Sequence, residues 1–179
     1  AAPAFPKAPS GVKAVAASGS SITVSWDDVS NETSYRIERQ MSSGAWANVG
    51  NTGAGATSFT DTGLQSGIPY KFRVIAANSG GDSPFSEVVS LTIIHPTANN
   101  ESYTSLHDRA LTIAKANGVL SNDVDPYGIP LSAAIVGNAG HGSVVLSADG
   151  SFSYTPNPGF TGTDTFTYRA SNGALESDP

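Results

Sequence analysis

Two aspartates, Asp123 and Asp125, stand two residues apart in the stretch SNDVDPYGIP at residues 121–130. An asparagine precedes them and a glycine follows, and alternating oxygen-bearing residues on a tight glycine-containing loop can wrap Ca²⁺. Tyr127 and Ile129, however, occupy positions at which a strong calcium loop carries further carboxylates. The stretch is therefore either a weak calcium loop or a turn shaped by hydrogen bonds from the aspartate side chains. The missing carboxylates favour the turn.

Catalytic chemistry is not indicated by any other residue pattern. The chain has no Gly-x-Ser-x-Gly, no His-Glu-x-x-His and no phosphate-binding glycine loop with lysine. The histidines, His95, His107 and His141, are isolated from one another in the sequence. The two aspartates lie on a loop with no cleft implied, so general acid–base work on a glycoside is not expected. We predict no catalytic residue and no enzyme activity in this chain.

Aromatic side chains offer a second kind of chemistry, because exposed rings can stack on sugars. Trp46, Tyr127 and Phe160 are the candidates, and Trp46 and Tyr127 are retained as ligand-binding candidates. A sugar platform needs rings in one plane, whereas these residues come from distant segments. A packing role for Trp46 over an open sheet face is the alternative.

Composition excludes several classes of partner. The net charge is −6 with only 9 lysines and arginines, which are scattered, so the chain is not expected to bind nucleic acid or an anionic membrane surface. No apolar run is long enough to span a bilayer. The absence of cysteine excludes disulfides and thiolate metal sites.

The elements that must position these residues are short strands. Apolar and polar residues alternate in runs separated by Gly, Asn, Asp, Ser and Pro, which is typical of β-structure. The spacing of these runs predicts β-sandwiches. The predicted strands of the first half are residues 12–16, 21–26, 34–40, 45–50, 57–61, 70–78 and 87–94. Those of the second half are residues 102–105, 109–115, 131–138, 142–148, 150–156 and 164–172.

Two local signals organise these strands. The segment VVLSADGSFSY predicts a hairpin in which Gly150 takes a positive φ. The segment IIHPTANN contains Pro96, which cannot donate to a strand ladder, and therefore predicts a domain boundary near residues 95–98. We expect an all-β chain of two tandem β-sandwiches, residues 6–94 and 98–179, with a short semi-rigid linker.

The first half carries a recognisable set of residues in a fixed order. They are Pro9, Trp26 in SITVSWDDV, Tyr35 in YRIERQ, Leu64 in DTGLQSGIPY, and Tyr70 and Asn78 in YKFRVIAANSGG. In order and spacing, residues 6–94 resemble a fibronectin type III domain. The resemblance implies a core centred on Trp26 between two sheets, with Tyr70 bracing a loop before the penultimate strand.

The second half resembles the bacterial cadherin-like, immunoglobulin-like repeats of large surface proteins. The matching segments are ANNESYTS, GVLSNDVDPYGIPLSA, HGSVVLSADGSFSYTPNPGFTGTDTFTYRASNG and ESDP. Members of that family continue past the final SDP into one more strand. The resemblance therefore implies either that residues 98–179 lack the last strand of the sandwich or that the fragment was cut before it, and a sandwich without that strand has an exposed edge.

The same resemblance extends the calcium hypothesis to the start of the second half. Asn100 and Glu101 stand where the family carries an acidic pair, and Asn99 can add a carbonyl. Together with Asp123 and Asp125, Asn100 and Glu101 are candidates for weakly bound Ca²⁺, with a Kd of ~10⁻⁴–10⁻³ M as in extracellular modules. No other cofactor is expected.

The sequence supports three hypotheses about the function of the two domains. The first hypothesis is a non-catalytic extracellular spacer in a larger bacterial surface adhesin or secreted multidomain enzyme, whose partners are the flanking domains of the parent chain. The alternative is a module that binds a polysaccharide or a cell-surface ligand through Trp46 or Tyr127. A third hypothesis is self-association through the exposed edge strand of the second domain.

Overall fold

A computed structural model describes residues 3–179 of the chain. The fold is all-β, as predicted, and its one helical element in the described part is a 3-10 turn at Lys115–Asn117. No helix among the described residues is long and apolar enough to cross a membrane. The chain divides into two compact units between Ile94 and His95.

The first unit consists of two antiparallel sheets. One sheet has the strand order β1-β2-β5, and the other has the order β4-β3-β6-β7, with β8 also pairing with β6. The strands are β1 (Lys13–Ser18), β2 (Ser21–Ser25), β3 (Ser34–Gln40), β4 (Trp46–Gly53), β5 (Ser58–Thr62), β6 (Pro69–Asn78), β7 (Gly81–Asp82) and β8 (Val89–Thr92).

The core of the first unit is built by the inward faces of these sheets. Trp26 is buried, and its ring centroid lies 5.2 Å from that of Tyr35. Phe72, Val74 and Ala76 alternate along β6 and are buried, as the sequence pattern predicted. The Tyr70 hydroxyl accepts a hydrogen bond of 2.8 Å from the Gln65 N–H. The tyrosine therefore braces the loop before β6, as the resemblance implied.

The second unit also consists of two sheets. One has the order β10-β13 and the other the order β11-β12-β9. The predicted hairpin is confirmed, since β11 pairs with β12 and Gly150 has a φ of +87°. The prediction of a strand at residues 102–105 is wrong, because that segment lies in no strand. The strands are β9 (Leu111–Ile113), β10 (Ser132–Gly137), β11 (Gly142–Leu146), β12 (Phe152–Pro156) and β13 (Thr167–Ser171).

The core of the second unit is smaller. Val119, Phe152 and Tyr168 are its buried centre, and half-buried side chains such as Tyr103 and Phe166 pack against them. The Phe152 ring meets Tyr103 edge-on at 5.0 Å and lies 5.3 Å from Phe166. The two sheets thus meet over aromatic rings, and Tyr168 extends from β13 across this core.

Buried serines replace part of the strand ladder at the edge of β6. The Ser86 N–H donates to the Val74 carbonyl (2.9 Å), while the Ser86 hydroxyl accepts from the Val74 N–H (2.9 Å) and donates to the Glu87 carbonyl (2.8 Å). Ser83 makes the same three bonds with Ala76 and with the carbonyl of Pro84. A serine hydroxyl therefore stands in for a backbone acceptor where the chain leaves the regular ladder.

We predict that Ser86→Ala lowers the free energy of unfolding of the first unit by about 1–2 kcal/mol, because it leaves the buried Val74 N–H without an acceptor. Both tryptophans lie in this unit, so denaturation followed by tryptophan fluorescence reports it. Ser90→Ala is the matched control, since Ser90 is exposed on β8. Equal stability of the two variants would contradict the assigned role of Ser86.

Candidate functional site

An isolated bridge brings the two calcium-candidate segments together in the second unit. The Thr97 N–H donates to the Val124 carbonyl (2.8 Å), and the Val124 N–H donates back to the Thr97 carbonyl (3.0 Å). Because of this pairing, the Asn99 N–H reaches Asp123 and donates to its Oδ1 at 2.8 Å. The segment that begins at Asn99 therefore lies beside the loop that carries Asp123.

The Tyr168 hydroxyl lies at the centre of these segments. It is 2.7 Å from the Val119 carbonyl oxygen, 3.0 and 3.1 Å from the Asp123 carboxylate oxygens and 3.3 Å from the Asn99 carbonyl oxygen. The Glu101 carboxylate oxygens lie at 3.4 and 3.5 Å. One hydroxyl proton cannot satisfy so many acceptors at once. Sequence reasoning missed this role of Tyr168, because its alternation with polar residues indicated only an inward-facing side chain.

The two carboxylates at this cluster share a poor environment for negative charge. Burial raises the pKa of Glu101 above its usual value, and the charge of Asp123 raises it further. Burial also raises the pKa of Asp123, although hydrogen bonds from Asn99 and Tyr168 oppose the change. The pKa of the Tyr168 hydroxyl is raised by burial and by the same carboxylates. A positive charge at this place would relieve both carboxylates.

Asp125 serves a different structure from Asp123. Its Oδ1 accepts from the N–H groups of Tyr127 and Ile129, each at 2.9 Å, and its Oδ2 accepts from Asn172 Nδ2 at 2.8 Å. The Gly128 N–H donates to the Asp125 carbonyl at 3.1 Å, and Gly128 has a φ of +70°. Asp125 and Gly128 therefore build a turn of the Asx type and pin it to the loop after β13.

The oxygens around the Tyr168 hydroxyl, here called the Tyr168 cluster, are of the type that a hard cation binds. They are fewer than such a cation needs. Glu101 and Asp123 supply carboxylates, and Asn99 and Val119 supply carbonyls, all of them oxygens of the kind that Ca²⁺ takes. Water would have to complete six to eight ligands. The part of the chain that the structure describes contains no group of three or more His, Cys, Asp or Glu residues placed to hold a metal. Asn100 is exposed, and its carbonyl accepts a 3.4 Å hydrogen bond from Asn122.

We predict that mild acidification stabilises the second unit. Glu101 and Asp123 have raised pKa values, so between their usual values of 4.5 and 3.8 and their folded values the native state binds more protons than the unfolded chain. The free energy of unfolding therefore falls as pH rises through the folded pKa values, and the penalty is complete above them. Calorimetry in EGTA should show a higher Tm at pH 4.5, the usual pKa of a glutamate such as Glu101, than at pH 7.

The matched control for this prediction is the double variant Glu101→Gln/Asp123→Asn, which keeps the shape and removes both titrations. It should lose the rise in Tm on acidification. At lower pH, Asp125 and Asp164 act in the opposite direction. The pKa of each carboxyl is lowered, because accepted hydrogen bonds outweigh burial, so their stabilisation is lost only as pH falls below about 3.8. An unchanged Tm between pH 7 and pH 4.5 would contradict the prediction.

The ligand candidates Trp46 and Tyr127 occupy different surroundings. The Arg73 guanidinium carbon lies 4.4 Å from the centroid of the Trp46 ring and 3.6 Å from that of the Phe85 ring. Arg73 also pairs with Glu38 at 2.6 Å. One face of Trp46 is therefore engaged by a cation, which is a packing role. Tyr127 is 40% exposed in the turn shaped by Asp125.

The remaining candidates lie apart from the cluster. Phe160 stacks on His141 with ring centroids 4.4 Å apart. Asp164 beside them accepts from the Gly140 N–H, the His141 N–H and the Tyr154 hydroxyl at 2.8–2.9 Å. This carboxylate ties the turn before β11 to the loop before β13. No pattern in the sequence indicated this role of Asp164.

Comparisons with known proteins place both halves of the chain. The model of the fibronectin type III domain matches residues 7–92. The model of the bacterial cadherin-like domain matches residues 94–179. Among solved structures, an Fn3-like protein from Clostridium thermocellum is 30% identical, with 51% of this chain and 94% of that chain covered and a TM-score of 0.42.

Two curated relatives are longer proteins that share a part of this chain. A Kelch domain-containing protein of Saccharolobus solfataricus is 38% identical over 49% of this chain and 12% of its own length. A poly(3-hydroxybutyrate) depolymerase of Ralstonia pickettii is 35% identical over 62% of this chain and 23% of its own length. The chain thus spans less than a quarter of either relative, and it consists of a fibronectin type III domain followed by a bacterial cadherin-like domain.

Proposed function

We propose that the two domains form a non-catalytic spacer in a larger extracellular protein. The observation that carries the proposal is the occurrence of similar stretches within two longer proteins whose names differ, one a depolymerase and the other a Kelch domain-containing protein. A stretch shared by such proteins is expected to have a structural role that does not depend on the particular activity of either protein. Setting the distance between neighbouring domains is such a task.

The polar side chains that could in principle take part in catalysis or binding support the proposal, because they already contact groups of the same chain. Asp125 and Asp164 each accept several main-chain hydrogen bonds. His95 Nδ1 lies 2.8 Å from the Glu176 carbonyl oxygen, and His141 stacks on Phe160. These side chains hold turns in place, which suits a module whose task is to stay folded. We also propose an extracellular location, because fibronectin type III and bacterial cadherin-like domains are common in extracellular proteins.

A spacer sets the distance between its neighbours through the length of its folded domains and the limited bending of the joint between them. The two matched ranges leave a single residue, Ile93, between them. Pro96 follows closely and fixes its own φ. A short proline-containing joint is stiffer than a glycine- and serine-rich one. The stiffness of the joint stays a prediction from the sequence.

The test replaces the segment within its parent protein. A spacer can be exchanged for two unrelated β-sandwich domains of similar length with the parent's activity on its target retained, whereas deletion of the segment reduces that activity. The matched measurement is binding of the isolated 179-residue chain to the parent's target and to polysaccharides, with Trp46→Ala and Tyr127→Ala as variants. Target binding by the isolated chain that either variant abolishes would replace the spacer with the ligand-binding module.

A further inference from the structure

A segment outside the strands is held against one end of the first domain. Residues 3–6 precede β1 and lie in no strand, and only Pro6 among them is buried. The Ala4 carbonyl oxygen nevertheless accepts two hydrogen bonds, from Asn31 Nδ2 at 3.0 Å and from Asn78 Nδ2 at 2.8 Å. A carbonyl oxygen has two lone pairs, so both are used. Residues 3–6 are here called the entry segment.

The two asparagines that hold this carbonyl are themselves held in place. Asn78 Nδ2 also donates to the Asn31 carbonyl at 2.9 Å, and Asn78 Oδ1 accepts from the Gly80 N–H at 2.7 Å. Asn31 has a φ of +69°, a conformation that residues other than glycine adopt rarely. The pair of asparagines is therefore joined to the Gly80 turn as well as to the entry segment.

Two successive glycines make room for the entry segment. A Cβ on Gly80 would overlap the Pro3 carbonyl oxygen, and a Cβ on Gly81 would lie 2.6 Å from Cε1 of Phe5. Gly81 has a φ of +138°, so its backbone also favours glycine, whereas Gly80 is not among the glycines with positive φ. At Gly80 the missing side chain is thus needed for the close approach of Pro3 and not for the backbone of the turn.

The turn that receives the entry segment is anchored to the sheet. Its residues Gly81 and Asp82 form β7, which pairs with Ala77 and Asn78 of β6. The Asp82 carboxylate accepts from Arg36 Nη2 of β3 at 2.8 Å. The entry segment is therefore fastened to a turn that two central strands hold, and not to a loop that can open by itself.

We propose that the Gly80–Gly81 turn and the Asn31–Asn78 pair are a docking site for the entry segment, which makes the chain rigid from Pro3 onward. The polypeptide ahead of Pro3 then leaves the first domain from a fixed point and in a fixed direction. This inference rests on the proposed spacer function, because a spacer sets a distance only if the chain at its ends does not swing. The hydrogen bonds of the site join neutral groups, so salt should not weaken the docking.

NMR relaxation of the 179-residue chain measures the docking directly, because Ala4 and Phe5 have amide protons. Their order parameters should be about 0.85, as in rigid backbone, whereas a flexible segment gives values below about 0.6. The values should be the same at low and at high salt. Wild-type values below about 0.6 at both amides would overturn the proposal.

Two glycine-to-alanine variants separate docking from a general loosening of the domain. Gly80→Ala puts a methyl group where the Pro3 carbonyl lies, and Gly53→Ala puts one into open space at the end of β4. Gly80→Ala should lower the order parameters of Ala4 and Phe5 below about 0.6 and leave those of β3 unchanged. Gly53→Ala should change neither.

Asn31→Gly tests the site from its other side. Glycine keeps the positive φ and removes the amide that donates to Ala4, while Asn78 and the turn stay as they are. This variant should also lower the order parameter of Phe5. If Ala4 and Phe5 stay ordered in both Gly80→Ala and Asn31→Gly, the docking site is wrong. The spacer is tested separately by domain exchange in the parent protein, so the two proposals can fail independently.

Discussion

Asp125→Ala should lower the free energy of unfolding of the cadherin-like domain by about 2 kcal/mol. The substitution removes the acceptor of the Tyr127 and Ile129 N–H groups and of Asn172 Nδ2. Each hydrogen bond to a charged group is worth roughly 1.5–3 kcal/mol when buried. The two N–H bonds are exposed, so water replaces much of them and the sum is discounted. For a domain of this size the Tm should fall by roughly 8–16 °C.

The measurement is calorimetry of the whole chain, with tryptophan fluorescence assigning the transition of the fibronectin type III domain, which carries both tryptophans. The control is Asp125→Asn. Its amide oxygen still accepts from the backbone of the turn, so it should lose less than half as much stability. The loss should be the same in CaCl₂ and in EGTA. If Asp125→Ala is harmless in EGTA and harmful only in calcium, Asp125 is a metal ligand and its turn role is wrong.

The fold could be predicted from local pattern to a large extent. Alternation located the strand of Phe72 and Val74, and a glycine after Asp149 located the hairpin of β11 and β12. These features depend on neighbours in the sequence. The strand expected at residues 102–105 failed because a strand exists only with a partner edge, and alternation in the sequence cannot show whether that edge is present.

The candidate site could be predicted only in its parts. Asp123 and Asp125 have the same type and nearly the same neighbours, yet one faces the Tyr168 hydroxyl and the other caps a turn. The Thr97–Val124 bridge and β13 decide this division, and both involve residues far apart in the chain. The serines that complete strand edges were missed for the same reason, because nothing in the sequence distinguishes Ser86, which is buried beside Val74, from Ser90, which is exposed on β8.

Calcium should raise the Tm of the cadherin-like domain by at least about 10 °C if the Tyr168 cluster binds it. At 10 mM CaCl₂ and a Kd of ~10⁻⁴ M, ligand linkage supplies about 2.7 kcal/mol. The residues that would hold the ion are Glu101 and Asp123, with the carbonyls of Asn99 and Val119. The measurement is calorimetry in 10 mM CaCl₂ against EGTA, for the wild type and for Asp123→Asn.

Asp123→Asn separates the two accounts of this cluster. Without calcium it should leave stability unchanged or raised, because it removes one of two carboxylates whose pKa values are raised by burial. Its amide oxygen can still accept from the Asn99 N–H. With calcium it should lose most of the wild-type shift, while Asp125→Asn retains it. A wild type with no calcium shift would instead mean that hydrogen bonds alone hold the cluster, from the Tyr168 hydroxyl, the Asn99 N–H and the Thr97–Val124 bridge.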